Sequence, residues 1–146
     1  MRWDKEIKRK LRSIIFDKIC QISQQVQTIP EGTDREMAFK NTLDHFYKLH
    51  GIIRVRRDSE SYCGYDHNED ENFAKQFIEL RQAEGSCIPT LPKQYRYMSD
   101  FLSEIVYQGR RKGKTIIIKD PWARAKGRCL SIPKDVAEKI LVLGIP

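Results

Sequence analysis

The sequence predicts a mostly helical α+β fold, with about five helices and a C-terminal β-hairpin. Two long segments, residues 3–27 and 33–50, repeat apolar side chains every three or four positions, the period of a helix with one buried face. Late in the chain, Thr115-Ile116-Ile117-Ile118 is β-branched throughout, which suits a pleated strand and crowds a helix. At 146 residues the chain can bury roughly two thirds of its unfolded surface. It is short enough to be a single domain over residues 1–146.

The first helix is expected over residues 3–27. Trp3, Ile7, Leu11, Ile14, Ile15, Ile19, Ile22 and Val26 face inward, with Lys5, Lys8, Arg9, Lys10 and Arg12 on the other side. Thr28-Ile29-Pro30-Glu31-Gly32 breaks it. Thr33-x-x-Glu36 reads as a capping box, in which hydroxyl and carboxylate each satisfy a free backbone amide. The stripe of this second helix is Met37, Phe39, Leu43, Phe46, Tyr47 and Leu49, and Gly51 is placed to end it. Ile52 to Arg56 reads as a short strand, residues 58–71 as an acidic loop. Asn72 to Glu84 is a third helix with Phe73, Phe77, Ile78 and Leu80 inward, followed by a Pro-containing connection over 85–92. A fourth helix over Tyr97–Tyr107, capped by Ser99, ends at Gly109. Thr115–Lys119 and Arg128–Ile132 form the hairpin. The last helix runs from Pro133 to Leu143, started by Ser131 or Ile132 with Pro in its first turn.

Composition excludes several classes. Hydrophobic residues are 40 % and charged residues 32 %, which argues against wholesale disorder and against an integral membrane protein. The longest apolar run is Ile140 to Leu143, far short of the ~20 residues of a membrane span. The opening Met1-Arg2-Trp3-Asp4-Lys5-Glu6 has no secretory apolar core. Cys20, Cys63, Cys87 and Cys129 form no close pair and read as reduced thiols. The expected location is the cytoplasm.

The net charge is +7, from 27 Lys+Arg against 20 Asp+Glu. It is concentrated. Residues 109–128 hold Arg110, Arg111, Lys112, Lys114, Lys119, Arg124, Lys126 and Arg128 against Asp120 alone. The first twelve residues carry six cations against two acids, and Arg54, Arg56 and Arg57 add three more. The loop 58–71 is the reverse, with Asp58, Glu60, Asp66, Glu69, Asp70 and Glu71. A basic hairpin can lie along a phosphate backbone, where each neutralised phosphate releases counterions. Trp122, expected at the hairpin tip, is placed to stack on a base. Gly109, Gly113 and Gly127 would let backbone amides approach phosphates. The competing reading is a merely solvated hairpin with Trp122 packed on the core.

The succession of Tyr97–Gln108 and the Thr115–Ile132 hairpin resembles the recognition helix and wing of winged-helix proteins. Asp100 and Glu104, with no cation before Arg110, depart from that pattern, because a recognition helix lies among phosphates. If the hairpin binds nucleic acid, it does so without this helix reading bases. The stretch from Arg128 to Lys139, with Ile132-Pro133-Lys134 at its centre, is similar to the strand and helix of swapped-hairpin transcription regulators of the AbrB type. That family adds a further pair of strands after the helix, which this sequence lacks.

Sites for chemistry are sparse. His45-x4-His50-x12-Cys63-x3-His67 has zinc-like spacing with the ligand order changed. His45 and His50 lie about 140° apart on a helix and converge only if the helix ends before His50. The alternative is an exposed His45, a His50 interacting with the helix C-terminus, and an incidental Cys63; it is preferred, with no metal or cofactor expected. Asp66-x-Asn68-x-Asp70 begins like a calcium loop, but Glu71 stands where glycine is needed and Phe77 where a bidentate glutamate is needed. A metal-dependent nuclease would draw on Asp58, Asp120, Glu79 and His67, in no recognised spacing. Gly113-Lys114-Thr115 precedes a strand instead of a helix and lacks the spacing of a phosphate loop.

The sequence therefore leads to a non-enzymatic, cytoplasmic nucleic-acid-binding domain, DNA and RNA being equally open. It would contact the backbone through Arg110, Arg111, Lys112, Lys114, Lys119, Trp122, Arg124, Lys126 and Arg128, aided by Arg54, Arg56 and Arg57. Other protein subunits in a nucleoprotein assembly are compatible partners; a membrane is not. The alternatives are a small nuclease and a protein-interaction module or inhibitor acting through the acidic loop 58–71.

Overall fold

The apolar stripes of the sequence become one core. The computed structural model describes residues 2–57, 63–65, 71–83, 98–123 and 127–146. Helix α1 spans Lys5–Gln25, and Asp4 caps it by accepting from the Ile7 backbone N–H at 3.0 Å. Leu11, Ile15, Ile19 and Ile22 are buried along its inner face. A 3-10 turn, Val26–Thr28, leads to α2, Thr33–His50. Arg35 of α2 donates to the carbonyls of Ile29 (2.7 Å) and Gln27 (3.3 Å), pinning this turn. Gly51 adopts φ 68° and ends α2 as expected.

The strands are β1 (Ile53–Arg57), β2 (Cys63–Tyr65), β3 (Thr115–Lys119) and β4 (Arg128–Pro133). They form an antiparallel sheet in the order β2-β1-β4-β3. Helices α3 (Glu71–Ala83) and α4 (Met98–Arg111) lie between β2 and β3 in the chain, and α5 (Lys134–Leu143) follows β4. Ile53, Ser131 and Ile117 form one row across the sheet; Arg54, Leu130 and Ile118 form the next. Alternation leaves Ile116 and Ile118 buried on β3 while Thr115 and Ile117 are half-buried. The core runs from Leu11 and Ile19 of α1, through Tyr47, Phe77 and Leu102, to Leu130, Ile132 and Ile140. Lys48 of α2 bonds Gln76 of α3 at 2.6 Å, and Lys18 of α1 bonds the Pro146 carbonyl at 3.0 Å.

The mostly helical α+β class is as expected, with α4 followed by the β3–β4 hairpin and then α5. Several local expectations are corrected. Thr33 is the first residue of α2, so Gly32, at φ 143°, takes the cap position and no side-chain cap forms. Met37, assigned to the buried stripe, is 56 % exposed. The loop after β1 contains β2, three residues long, paired with β1. Ser99 lies inside α4, which begins at Met98, and is not its cap. Pro133 precedes α5, while Ser131 and Ile132 belong to β4.

The largest correction is Gly109. It does not end α4 but lies within it, and a Cβ there would stand 2.9 Å from Thr115 Cγ2. Its hydrogen side chain lets the last turn of α4 press onto the start of β3; the sequence reading had assigned it to phosphate approach. Residues 58–62, 66–70, 84–97 and 124–126 lie outside the described residues. With them lie most of the acidic loop, the calcium-like Asp66, Asn68 and Asp70, the 85–92 connection, His67, Cys87, Arg124 and Lys126. Among the described residues no helix is long and apolar enough to cross a membrane.

Candidate nucleic-acid interface

The cationic run 109–128 is continuous in sequence but divided in space. Arg110 and Arg111 occupy the last turn of α4, and Lys112 and Gly113 turn the chain into β3, Gly113 at φ 69°. Arg111, Lys112 and Lys114 are exposed here. The Lys134 backbone N–H donates to the Lys114 carbonyl at 2.9 Å, bringing a further lysine to this end. Strand β3 then carries the chain roughly 13 Å, at ~3.3 Å per residue, to an exposed Lys119.

At that far end the chain folds inward. The buried Asp120 carboxylate accepts from the backbone N–H groups of Trp122 (2.9 Å) and Ala123 (3.2 Å). This local turn, of a kind aspartate favours, sends Trp122 back over the helices. Its ring lies 6.1 Å from Phe16 of α1 and 5.4 Å from Phe39 of α2, both tilted. Trp122 is 43 % exposed and Phe16 41 %. Trp122 is therefore packed against the body of the protein, as the competing reading held, and also open to solvent. Trp122 itself is held against α1 and α2 through Phe16 and Phe39.

Two hollows flank this aromatic group. One, of about 350 Å³, is lined by Arg9, Arg12, Ser13 and Phe16 of α1 and by Pro121. The other, of about 280 Å³, has Phe39, Tyr47 and Trp122 in its walls, with Lys40, Arg54 and Arg128 contributing cations and Asp120 an acid. Arg54 is committed inside it. Its guanidinium pairs with Asp44 at 2.7 Å and lies 4.7 Å from the centre of the Tyr47 ring, both charged side chains being only 12 % exposed. Arg56 and Arg128 stand directly opposite each other on β1 and β4, on the same sheet face as Arg54.

Of the expected contact residues, Arg54, Trp122 and Arg128 are brought together at one end of β3. Arg110, Arg111, Lys112 and Lys114 gather at the other. Arg57 ends β1; Arg124 and Lys126 are outside the described residues. Phe16, Phe39 and Lys40, outside the expected contact residues, join this surface together with Arg9 and Arg12 of the basic face of α1. Phe16 alone left a signal: it is a large aromatic off the buried stripe of α1.

Among the described residues the histidine candidates do not converge. Helix α2 continues through His50, so the condition for His45 and His50 to converge is not met; His45 is exposed, and His50 packs 4.8 Å from the Phe46 ring centre. Glu79 is exposed on α3, and Asp58 and His67 are outside the described residues. Among the described residues no group of three acidic, histidine or cysteine side chains is placed to hold an ion. Cys20 and Cys129 are half-buried. Comparison with protein-family models, curated proteins and solved structures finds no match for this chain.

Proposed function

We propose that the protein binds nucleic acid mainly through the phosphate backbone. One observation carries this reading. Cations from separate elements (Arg9 and Arg12 of α1, Lys40 of α2, Arg128 of β4) border a half-exposed aromatic group of Phe16, Phe39 and Trp122. Charge for phosphates and rings for bases is the combination that nucleic-acid grooves use. The exposed Arg111, Lys112 and Lys114 at the start of β3 extend the positive surface. The ~13 Å between the two ends of that strand equals the axial rise of roughly four B-form base pairs.

The binding is electrostatic and weakly selective in sequence, because α4 offers Glu104, Gln108 and Tyr107 ahead of Arg110 and no set of base-reading cations. Salt-titrated anisotropy against single- and double-stranded DNA and RNA tests it. Affinity falls steeply with salt. Replacing Arg111, Lys112 and Lys114 together by Ala lowers the magnitude of the log–log slope by about 2–3, at roughly 0.7–0.9 per lost phosphate contact. An unchanged slope and affinity removes the start of β3 from the interface; no binding to any of the four at low salt ends the reading.

A further inference from the structure

We infer that the smaller hollow beside Trp122 takes one unpaired nucleobase, so that the protein prefers single-stranded or locally opened nucleic acid over a closed duplex. This rests on the nucleic-acid reading above and adds the kind of substrate.

The argument is the chemistry of the walls. Phe39 and the 43 % exposed Trp122 give the hollow its accessible aromatic surface, and its volume of about 280 Å³ is at the small end for a ligand pocket. Its one acid, Asp120, is buried in the same wall, and Arg54 is already paired with Asp44. Arg128 lines the same wall and offsets Asp120, so the interior suits a neutral ring. The exposed Lys40 borders the hollow and suits the phosphate attached to such a ring.

The second hollow continues the path. It begins at Pro121, beside Trp122, and carries Arg9 and Arg12. Arg9 is exposed and Arg12 half-buried, and a guanidinium suits the paired oxygens of a phosphate. A strand crossing Phe16 and Trp122 would thus leave one base in the aromatic hollow and set its neighbouring phosphate near Arg9 and Arg12. A base inside a duplex reaches the hollow only by leaving its stack, which costs energy.

The test uses the full chain with Trp3→Phe, leaving Trp122 as the sole tryptophan reporter. Binding of a short oligothymidylate is compared with an abasic oligomer of equal length and with a blunt duplex, all at low salt. The oligothymidylate should bind about 5- to 150-fold more tightly than the abasic strand, the range of one stacked base, and more tightly than the blunt duplex. It alone should shift the Trp122 emission. Adding Trp122→Ala should abolish the difference between intact and abasic strands, with far-UV circular dichroism and thermal unfolding showing that the variant is folded. Trp122→Phe should keep part of it. Equal affinities for intact and abasic strands, with an unmoved emission, overturn the base-pocket inference and leave backbone binding standing. Absence of binding to all three overturns both.

Discussion

Lys112 and Lys114, at the start of β3, and Arg54, level with its far end, carry the same charge in opposite circumstances. The two lysines are exposed on a tight turn. Arg54 is enclosed between Asp44 and the Tyr47 ring. Water screens and solvates the first pair, so their replacement changes the surface field and little else. Removing a partner of the enclosed pair strands a charge away from water. A count of basic residues treats these positions alike. The fold makes one end of β3 a loose electrostatic surface and the other a built, partly polar pocket whose parts hold one another.

Stability measurements separate the two ends. The largest loss is expected from Asp44→Ala, about 3 kcal/mol in denaturant unfolding, since Arg54 then has a buried charge without its carboxylate. Replacing both partners with apolar residues should cost less. A loss no larger than that of the Arg111, Lys112 and Lys114 triple variant would erase the contrast. Next comes Asp120→Ala, at about 2 kcal/mol, because two backbone N–H groups lose a charged acceptor. Here the sharper readout is Trp122, whose emission should shift to that of a more exposed ring. An unmoved emission would mean that the Phe16 and Phe39 contacts alone hold it.

The start of β3 has one rigid element of its own, and it is a packing contact, not a charge. Gly109→Val should cost roughly 1–3 kcal/mol, the range for overfilling a close contact, because its side chain meets Thr115. Thermal unfolding of Gly109→Val alone and combined with Thr115→Ala measures this. The combination should recover more than the two separate effects predict, and strict additivity would refute the contact.

Much of the fold was legible because it depends on local periodicity. The stripe of α1, the left-handed Gly51 and the β-branched run of β3 each declare themselves within a few residues. Thr33 shows the limit of such reading. Its capping-box spacing is present, yet Gly32 takes the cap position and the hydroxyl has no such task. Gly109 shows a second limit: a glycine needed for close approach and one needed for a turn look the same in a sequence, and only Thr115 tells them apart.

The sequence by itself determined that this chain is basic, mostly helical and closed by a hairpin near its C-terminus, because charge is additive and amphipathic period is local. Tertiary structure alone decided that Arg54 faces inward to Asp44 and that Phe16, Phe39 and Trp122 meet. These contacts join residues far apart in the chain. Their existence depends on how α1, α2 and the sheet pack, and no window of neighbouring residues contains that information.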